Sequence, residues 1–370
     1  MNPILIRCDA SPSIGSGHVM RCRTLARELS RRGAAITFLC RRQHGDLIGL
    51  LEQEFQVLTL PQQPLAAAEG LQDRELYRAW LGCNQEQDAT ESLQALDQAG
   101  IRSASWLVVD QYGLDAAWEA QMLGGLAAAA APRLLVIDDL ADRPHEADLL
   151  LDQNFFGAAT DARYAALVPG YCRQLLGPHY ALLGPEYALL HPLVPPRTEL
   201  QRVLVFFGGV DPANLTGQAL ETLWAPELSH LAVDVVLGLQ SPHRQTVAEL
   251  VAHRPHTTLH NQLPSLAGLI ARADLAIGAG GSTTWERACL GLPSLVAPIA
   301  ANQREGAVAL EEKRCLLLIN NHTFVESLRH SLISIIADLD WLFSTSIESV
   351  KLTDGCGSKL ISEHMTQWND

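Results

Sequence analysis

The chain has 370 residues, 48% hydrophobic and 18% charged, with a formal net charge of −14. This length suits two domains of ordinary size, the composition excludes a disordered chain, and the acidic excess excludes general nucleic-acid binding and attraction to an anionic membrane surface. Eight scattered cysteines without CxxC or metal-ligand spacing, and no apolar run long enough to span a membrane, point to a reduced cytoplasmic protein without a bound metal.

Ile4–Cys8 reads as a buried strand, followed by the loop Asp9–Gly17 and a helix with Val19, Cys22, Leu25, Ala26 and Leu29 at helical spacing and Gly33 as its stop. Ala35–Cys40 is the next strand, so the chain opens as a βαβ unit of a parallel sheet. The loop is neither a Walker loop nor GxGxxG. Gly15 and Gly17 open the helix and deliver His18 at its N-terminus. There the helix dipole disfavours an imidazolium, and a neutral imidazole is what a general base requires; the alternative is a histidine that only caps or packs. Residues 61–70 read as a loop, and 76–81 and 88–96 as helices. Strands Trp106–Asp110 and Leu134–Asp139 end in acids, where sheet C-termini face a ligand cleft, so Asp110, Tyr112, Asp138 and Asp139 are either site groups or caps of the next helices. Leu149–Leu151 repeats the pattern. The proline-rich stretch His191–Arg197 reads as a linker at about 191–199, separating domains over 1–190 and 200–370.

The alternation restarts with Val203–Phe207 before Gly208-Gly209, then strands near 233–237, 258–260, 275–278, 294–297 and 316–319. Gly278-Ala279-Gly280-Gly281-Ser282-Thr283-Thr284-Trp285-Glu286 is a strand, a glycine-rich turn and a helix start. That layout presents free N–H groups and a positive dipole end to a phosphate, with hydroxyls from Ser282 and Thr283 and a carboxylate, Glu286, placed for a ribose diol. A plain tight turn with a capping serine is the alternative. Asn302 and Gln303 open a later helix as sugar or phosphate contacts, or simply as its first residues. The expected fold class is α/β: two Rossmann-like doubly wound domains with an interdomain cleft.

Arg7-x-Asp9-x-Ser11-x-x-Ile14-Gly15-x-Gly17-His18-x-x-Arg21-Cys22, Trp80-Leu81-Gly82, Asp110-x-Tyr112-Gly113-Leu114-Asp115, Leu182-Leu183-Gly184-Pro185-x-Tyr187 and Ala279-Gly280-Gly281-Ser282-Thr283-x-Trp285-Glu286 together resemble the PseG family. These are UDP-2,4-diacetamido-2,4,6-trideoxy-β-L-altropyranose hydrolases of pseudaminic acid biosynthesis, with the GT-B fold related to MurG. Lys313-Arg314-Cys315-Leu316 departs from that pattern by lacking a glycine before the strand. The resemblance implies a metal-independent, cofactor-free, cytoplasmic enzyme, a monomer, that hydrolyses its UDP-sugar with inversion. His18 would activate water, and Asp9 or a neighbouring acid would orient it. Gly15, Gly17, Arg21 and Tyr112 would line the sugar side. Gly280, Gly281, Ser282 and Thr283 would hold the diphosphate, Glu286 the ribose, the backbone near Leu263 the uracil, and Asn302 and Gln303 the sugar or phosphate. A GT-B glycosyltransferase using a UDP-N-acetylated sugar, a UDP-sugar epimerase and a non-catalytic nucleotide-sugar-binding subunit are the alternatives.

Overall fold

The computed structural model describes residues 3–63, 71–126, 131–238, 241–261 and 263–368, so the part of the expected 61–70 loop after Gln63 lies outside the described residues. Two compact units form: Met1–Asn154 with Ala158–Leu182 and Ser358–Asp370, and Phe155–Gly157 with Leu183–Gly357.

The first unit holds seven parallel strands, β1 (Ile4–Cys8), β2 (Ile36–Arg41), β3 (Gln56–Leu60), β4 (Trp106–Asp110), β5 (Arg133–Ile137), β6 (Leu149–Asp152) and β7 (Arg173–Leu176), in the order β3-β2-β1-β4-β5-β6-β7. The central strands are continuous apolar runs because both faces are covered. Ile4, Ile6 and Cys8 pack with Val19, Cys22 and Leu25 of helix Gly17–Arg31, whereas Leu5, Leu107 and Val109 face Trp118 and Met122 on the other side. β3 and β7, both edge strands with a half-exposed, partly polar pattern, escape the sequence reading.

The second unit repeats the plan with β8 (Arg202–Phe206), β9 (Ala232–Leu237), β10 (Thr257–Asn261), β11 (Leu275–Ala279), β12 (Ser294–Ala297) and β13 (Leu317–Leu318), in the order β10-β9-β8-β11-β12-β13. In each sheet the order reverses beside the first strand, at β1/β4 and at β8/β11. Loops leaving the strand C-termini diverge at such a point and leave room for a ligand.

The division differs from the expected boundaries at both ends of the second domain. The C-terminal helix Gly357–Gln367 belongs to the first unit: Ile361 and Met365 are buried in its core, and Trp106 Nε1 donates to the Met365 carbonyl at 3.1 Å. Residues 191–199 are no free linker. Arg197, 6% exposed, donates to the carbonyls of Ile270 at 2.8 Å and Ala273 at 3.1 Å and also to that of Leu290, all in the second unit. Arg314, where the expected glycine is missing, adopts φ +60°, a left-handed helix end that glycine would favour. Residues 324–350, unread from the sequence, form helices Phe324–Ala337 and Asp340–Val350. No helix among the described residues is long and apolar enough to cross a membrane.

Gly278 sits in β11 where a Cβ would fall 2.4 Å from the Phe206 carbonyl oxygen and 2.7 Å from Arg287 Nη1. Gly278→Ala is therefore expected to cost roughly 1–3 kcal/mol, because a rigid neighbouring strand must shift. Gly268, in a helix with nothing within 4 Å of its Cβ position, is the control. Gly268→Ala should hold or raise the melting temperature while Gly278→Ala lowers it in the same thermal-shift series.

Candidate functional site

At the switch point of the first sheet Cys8 pairs with Asp110, so the loop after β1 and the acid ending β4 emerge together. The loop folds back on itself, with Gly15 at φ +81° and its N–H donating to the Ser11 carbonyl at 2.8 Å. Gly17 then starts the helix, and the i, i+3, i+4 spacing turns His18, Arg21 and Cys22 towards one carboxylate. Asp110 Oδ1 lies 2.6 Å from His18 Nδ1 and accepts from Arg21 Nη2 at 2.7 Å; Oδ2 accepts from Arg21 Nε at 2.6 Å and from Cys22 Sγ at 3.4 Å. Burial alone would raise the Asp110 carboxyl, but Arg21 and then His18 hold it well below the usual carboxylate range. An ionised carboxylate accepts only, so His18 Nδ1 carries the proton and Nε2 the lone pair. Nε2 has no partner among the described residues and is not one of the enclosed unsatisfied atoms, so it opens to solvent. The ring is otherwise covered: Tyr112 meets it edge-on at 4.4 Å, and Tyr77 lies 5.1 Å and Trp80 6.4 Å from Tyr112.

Asp9 does not orient the imidazole. Its oxygens accept from Arg7 Nη1 at 2.6 Å, Arg41 N at 2.7 Å and Gln111 Nε2 at 2.8 Å, which commits it to holding the loop root. Behind it Asp88 takes Arg7 at 2.8 Å, Arg41 at 2.6 Å and Trp118 Nε1 at 3.0 Å, a buried ion network that the sequence reading missed. The available signal was Arg7 itself, a charge inside an apolar strand that needs a buried partner. Arg21, read as reaching phosphate or a sugar carbonyl or else as pairing with an acid, takes the acid pairing: its guanidinium is spent on Asp110 and, at 3.1 Å, on Asp139.

Asp138 and Asp139 follow β5, and Asp152 ends β6. Tyr164 Oη lies 3.0 Å from Asp138 Oδ2 and 3.1 Å from Asp152 Oδ2, yet a hydroxyl has one proton to give. Arg143, 2.7 Å from Asp138, keeps that acid charged. Asp152 holds the extra proton: burial, with Asp139 adding to it, raises its carboxyl to about 8. A carboxyl raised on folding binds a proton that the unfolded chain has released, so stability falls as pH rises from about 4 to about 8, by at most about 1.4 kcal/mol per unit. Asp152→Asn mimics the protonated acid. Its denaturation midpoint should match the parent below about pH 4 and exceed it at pH 8.

In the second unit β11 runs into Gly280-Gly281-Ser282 and helix Thr283–Cys289. The N–H groups of Gly281, Ser282 and Thr283 have no acceptor among the described residues, and Ser282 makes no side-chain cap bond, so the alternative of a capping serine is not seen. Gln303 lines the turn: a Cβ on Gly280 would lie 3.4 Å from its Cβ and one on Gly281 3.6 Å from its Nε2, while its Oε1 is fixed by Ile299 N at 3.0 Å. Asn302 precedes it in helix Ala301–Glu312. Arg287, missed by the sequence reading, underpins the turn by donating to the Ala279 carbonyl at 2.8 Å and Thr284 Oγ1 at 3.0 Å. Glu286 is half-buried with Oε2 enclosed and unpartnered, and burial raises its carboxyl to about 7. The Tyr187 hydroxyl is enclosed beside it and interacts with Glu286 and Ser265. Leu263, 38% exposed, follows β10.

The Glycosyltransferase family 28 C-terminal domain matches residues 203–355, most of the second unit. Over 292 residues the chain is 24% identical to the spore coat polysaccharide biosynthesis protein SpsG of Bacillus subtilis, covering 79% of this chain and 76% of that protein. Among solved structures, MurG of Acinetobacter baumannii aligns over 99% of this chain and 100% of its own with a TM-score of 0.61 at 14% identity. UGT71G1 of Medicago truncatula, complexed with UDP-glucose, aligns over 100% of this chain and 99% of its own, with a TM-score of 0.66 at 15% identity. The chain thus has two parallel-sheet α/β domains of the GT-B kind, the second similar to the glycosyltransferase family 28 C-terminal domain.

Proposed function

We propose that the protein is a nucleotide-sugar enzyme that breaks the bond between a sugar's anomeric carbon and the diphosphate of UDP. The observation that carries this is the His18–Asp110 pair, with Nδ1 tied to a buried carboxylate and Nε2 open. In the reaction a hydroxyl oxygen attacks the anomeric carbon, its proton passes to Nε2, and the C–O bond to UDP breaks with its electron pair on the phosphate. One displacement by a base-activated nucleophile inverts the anomeric centre. UDP leaves as an anion, so N–H donors at Gly281, Ser282 and Thr283 serve it better than a general acid. Glu286 would take the ribose hydroxyls, Leu263's backbone the uracil, and Asn302 and Gln303 the phosphate or sugar. The match of residues 203–355 to a glycosyltransferase domain and the UDP-glucose in the Medicago structure support UDP-sugar binding by the second unit.

Transfer to a hydroxyl acceptor is the reading these similarities favour. Hydrolysis, with water as the nucleophile, is favoured by a different observation: His18 is only 6% exposed behind Tyr112, which suits a small nucleophile. With the N-terminal motif, this makes UDP-2,4-diacetamido-2,4,6-trideoxy-β-L-altropyranose the first substrate to try. The test incubates UDP-sugars in EDTA, with and without saccharide acceptors, and follows the products by proton NMR. Free sugar of inverted configuration without acceptor means hydrolysis, and a new glycoside only with acceptor means transfer. Binding without UDP release under any condition would leave a non-catalytic subunit and overturn the proposal.

A further inference from the structure

Arg21 poses a difficulty for a base at His18. It is bidentate on the carboxylate that His18 uses, and its Nη2 lies 3.4 Å from His18 Nδ1. By itself Arg21 cancels the Asp110 charge and opposes the imidazolium that forms when Nε2 takes a proton. Asp139, a residue with no part in the mechanism above, meets Arg21 Nη1 with Oδ2 at 3.1 Å. With neutral His18, Arg21, Asp110 and Asp139 carry +1, −1 and −1, a net −1 that becomes zero on protonation. Without Asp139 the same buried cluster would go from zero to +1, the more costly change away from water.

We infer that Asp139 is a positioning residue that acts through Arg21, supplying the counter-charge that lets His18 accept a proton beside a guanidinium. This rests on the base role proposed for His18. The surrounding groups leave that charge in place. Asp138 is balanced by Arg143 at 2.7 Å, and Asp152 shares the Tyr164 hydroxyl as the protonated partner. Arg163 donates to the backbone carbonyls of Asp139 at 3.3 Å and Leu140 at 3.2 Å and lies 3.7 Å from Asp152. The Tyr112 hydroxyl is uncharged and hydrogen-bonds to Asp139, so it leaves the Asp139 charge unchanged.

The test is Asp139→Asn, which keeps the shape and removes the charge, with Asp139→Ser as a second variant should the first fold poorly. The His18 imidazole is titrated by NMR, its signals assigned by their absence in His18→Gln, so no substrate is required. The expected result is a His18 midpoint lower by on the order of half to one pH unit, unchanged in the control Asp142→Asn. The acid limb of the UDP-release profile moves the same way, with UDP affinity retained, and Asp139→Glu restores both. A folded Asp139→Asn or Asp139→Ser whose His18 midpoint stays with the parent overturns the inference. Failure to release UDP from any nucleotide sugar would sink the functional proposal separately, since the NMR titration is independent of it.

Discussion

His18→Ala lowers UDP release from the nucleotide sugar by about 10²–10⁴-fold, the usual worth of a general base, and leaves UDP affinity within about twofold. The split follows from where the groups sit. His18 is in the first unit, whereas the free N–H groups proposed for the diphosphate, at Gly281, Ser282 and Thr283, are in the second. The fold should survive. Asp110 keeps its bidentate partner Arg21, and what is lost is the Nδ1 hydrogen bond to Asp110 and one edge-on ring contact with Tyr112. Steady-state turnover beside calorimetric titration with UDP checks both halves.

Asp110→Asn is expected to lose nearly as much turnover and, in addition, stability. An asparagine amide that turned its NH₂ towards His18 would make Nδ1 an acceptor and place the proton on Nε2, the wrong tautomer for a base. Arg21, 7% exposed, would then keep its charge with one of its two carboxylates gone, and breaking a buried pair in this way costs about 3–5 kcal/mol. The pH dependence has a definite sign. Because the folded Asp110 carboxyl is depressed, its stabilisation is fully present above the unfolded value near 4 and is lost as pH falls towards the folded one. The stability gap between parent and variant should therefore be wide at pH 7 and shrink below about pH 4, as urea denaturation at several pH values would show.

Central strands and both glycine-rich turns were legible because a parallel sheet buried on both faces needs apolar runs, and its loops need glycine. β3 and β7, half-exposed and partly polar edge strands, were not, although the edge strands β10 and β13 were. The C-terminal helix was assigned to the second domain by chain order, although its Ile361 and Met365 are buried in the core of the first. At the site, His18 and the acid-ended strands could be read as candidates. Their pairing could not, because 92 residues separate His18 from Asp110 and only the β1–β4 register brings them together. Asp9 looked closer in sequence, but Arg7 and the Arg41 amide already occupy it, a partnership visible only once β2 is placed beside β1.

The most direct test of the account is the initial rate of UDP release from the diacetamido-trideoxy UDP-sugar, measured for the parent and His18→Ala at matched UDP saturation. Catalytic release by the parent is expected, with a loss of at least about 10²-fold in the variant and UDP binding intact. Equal rates in the two proteins would contradict it, by showing that the proton of the attacking hydroxyl does not go to His18.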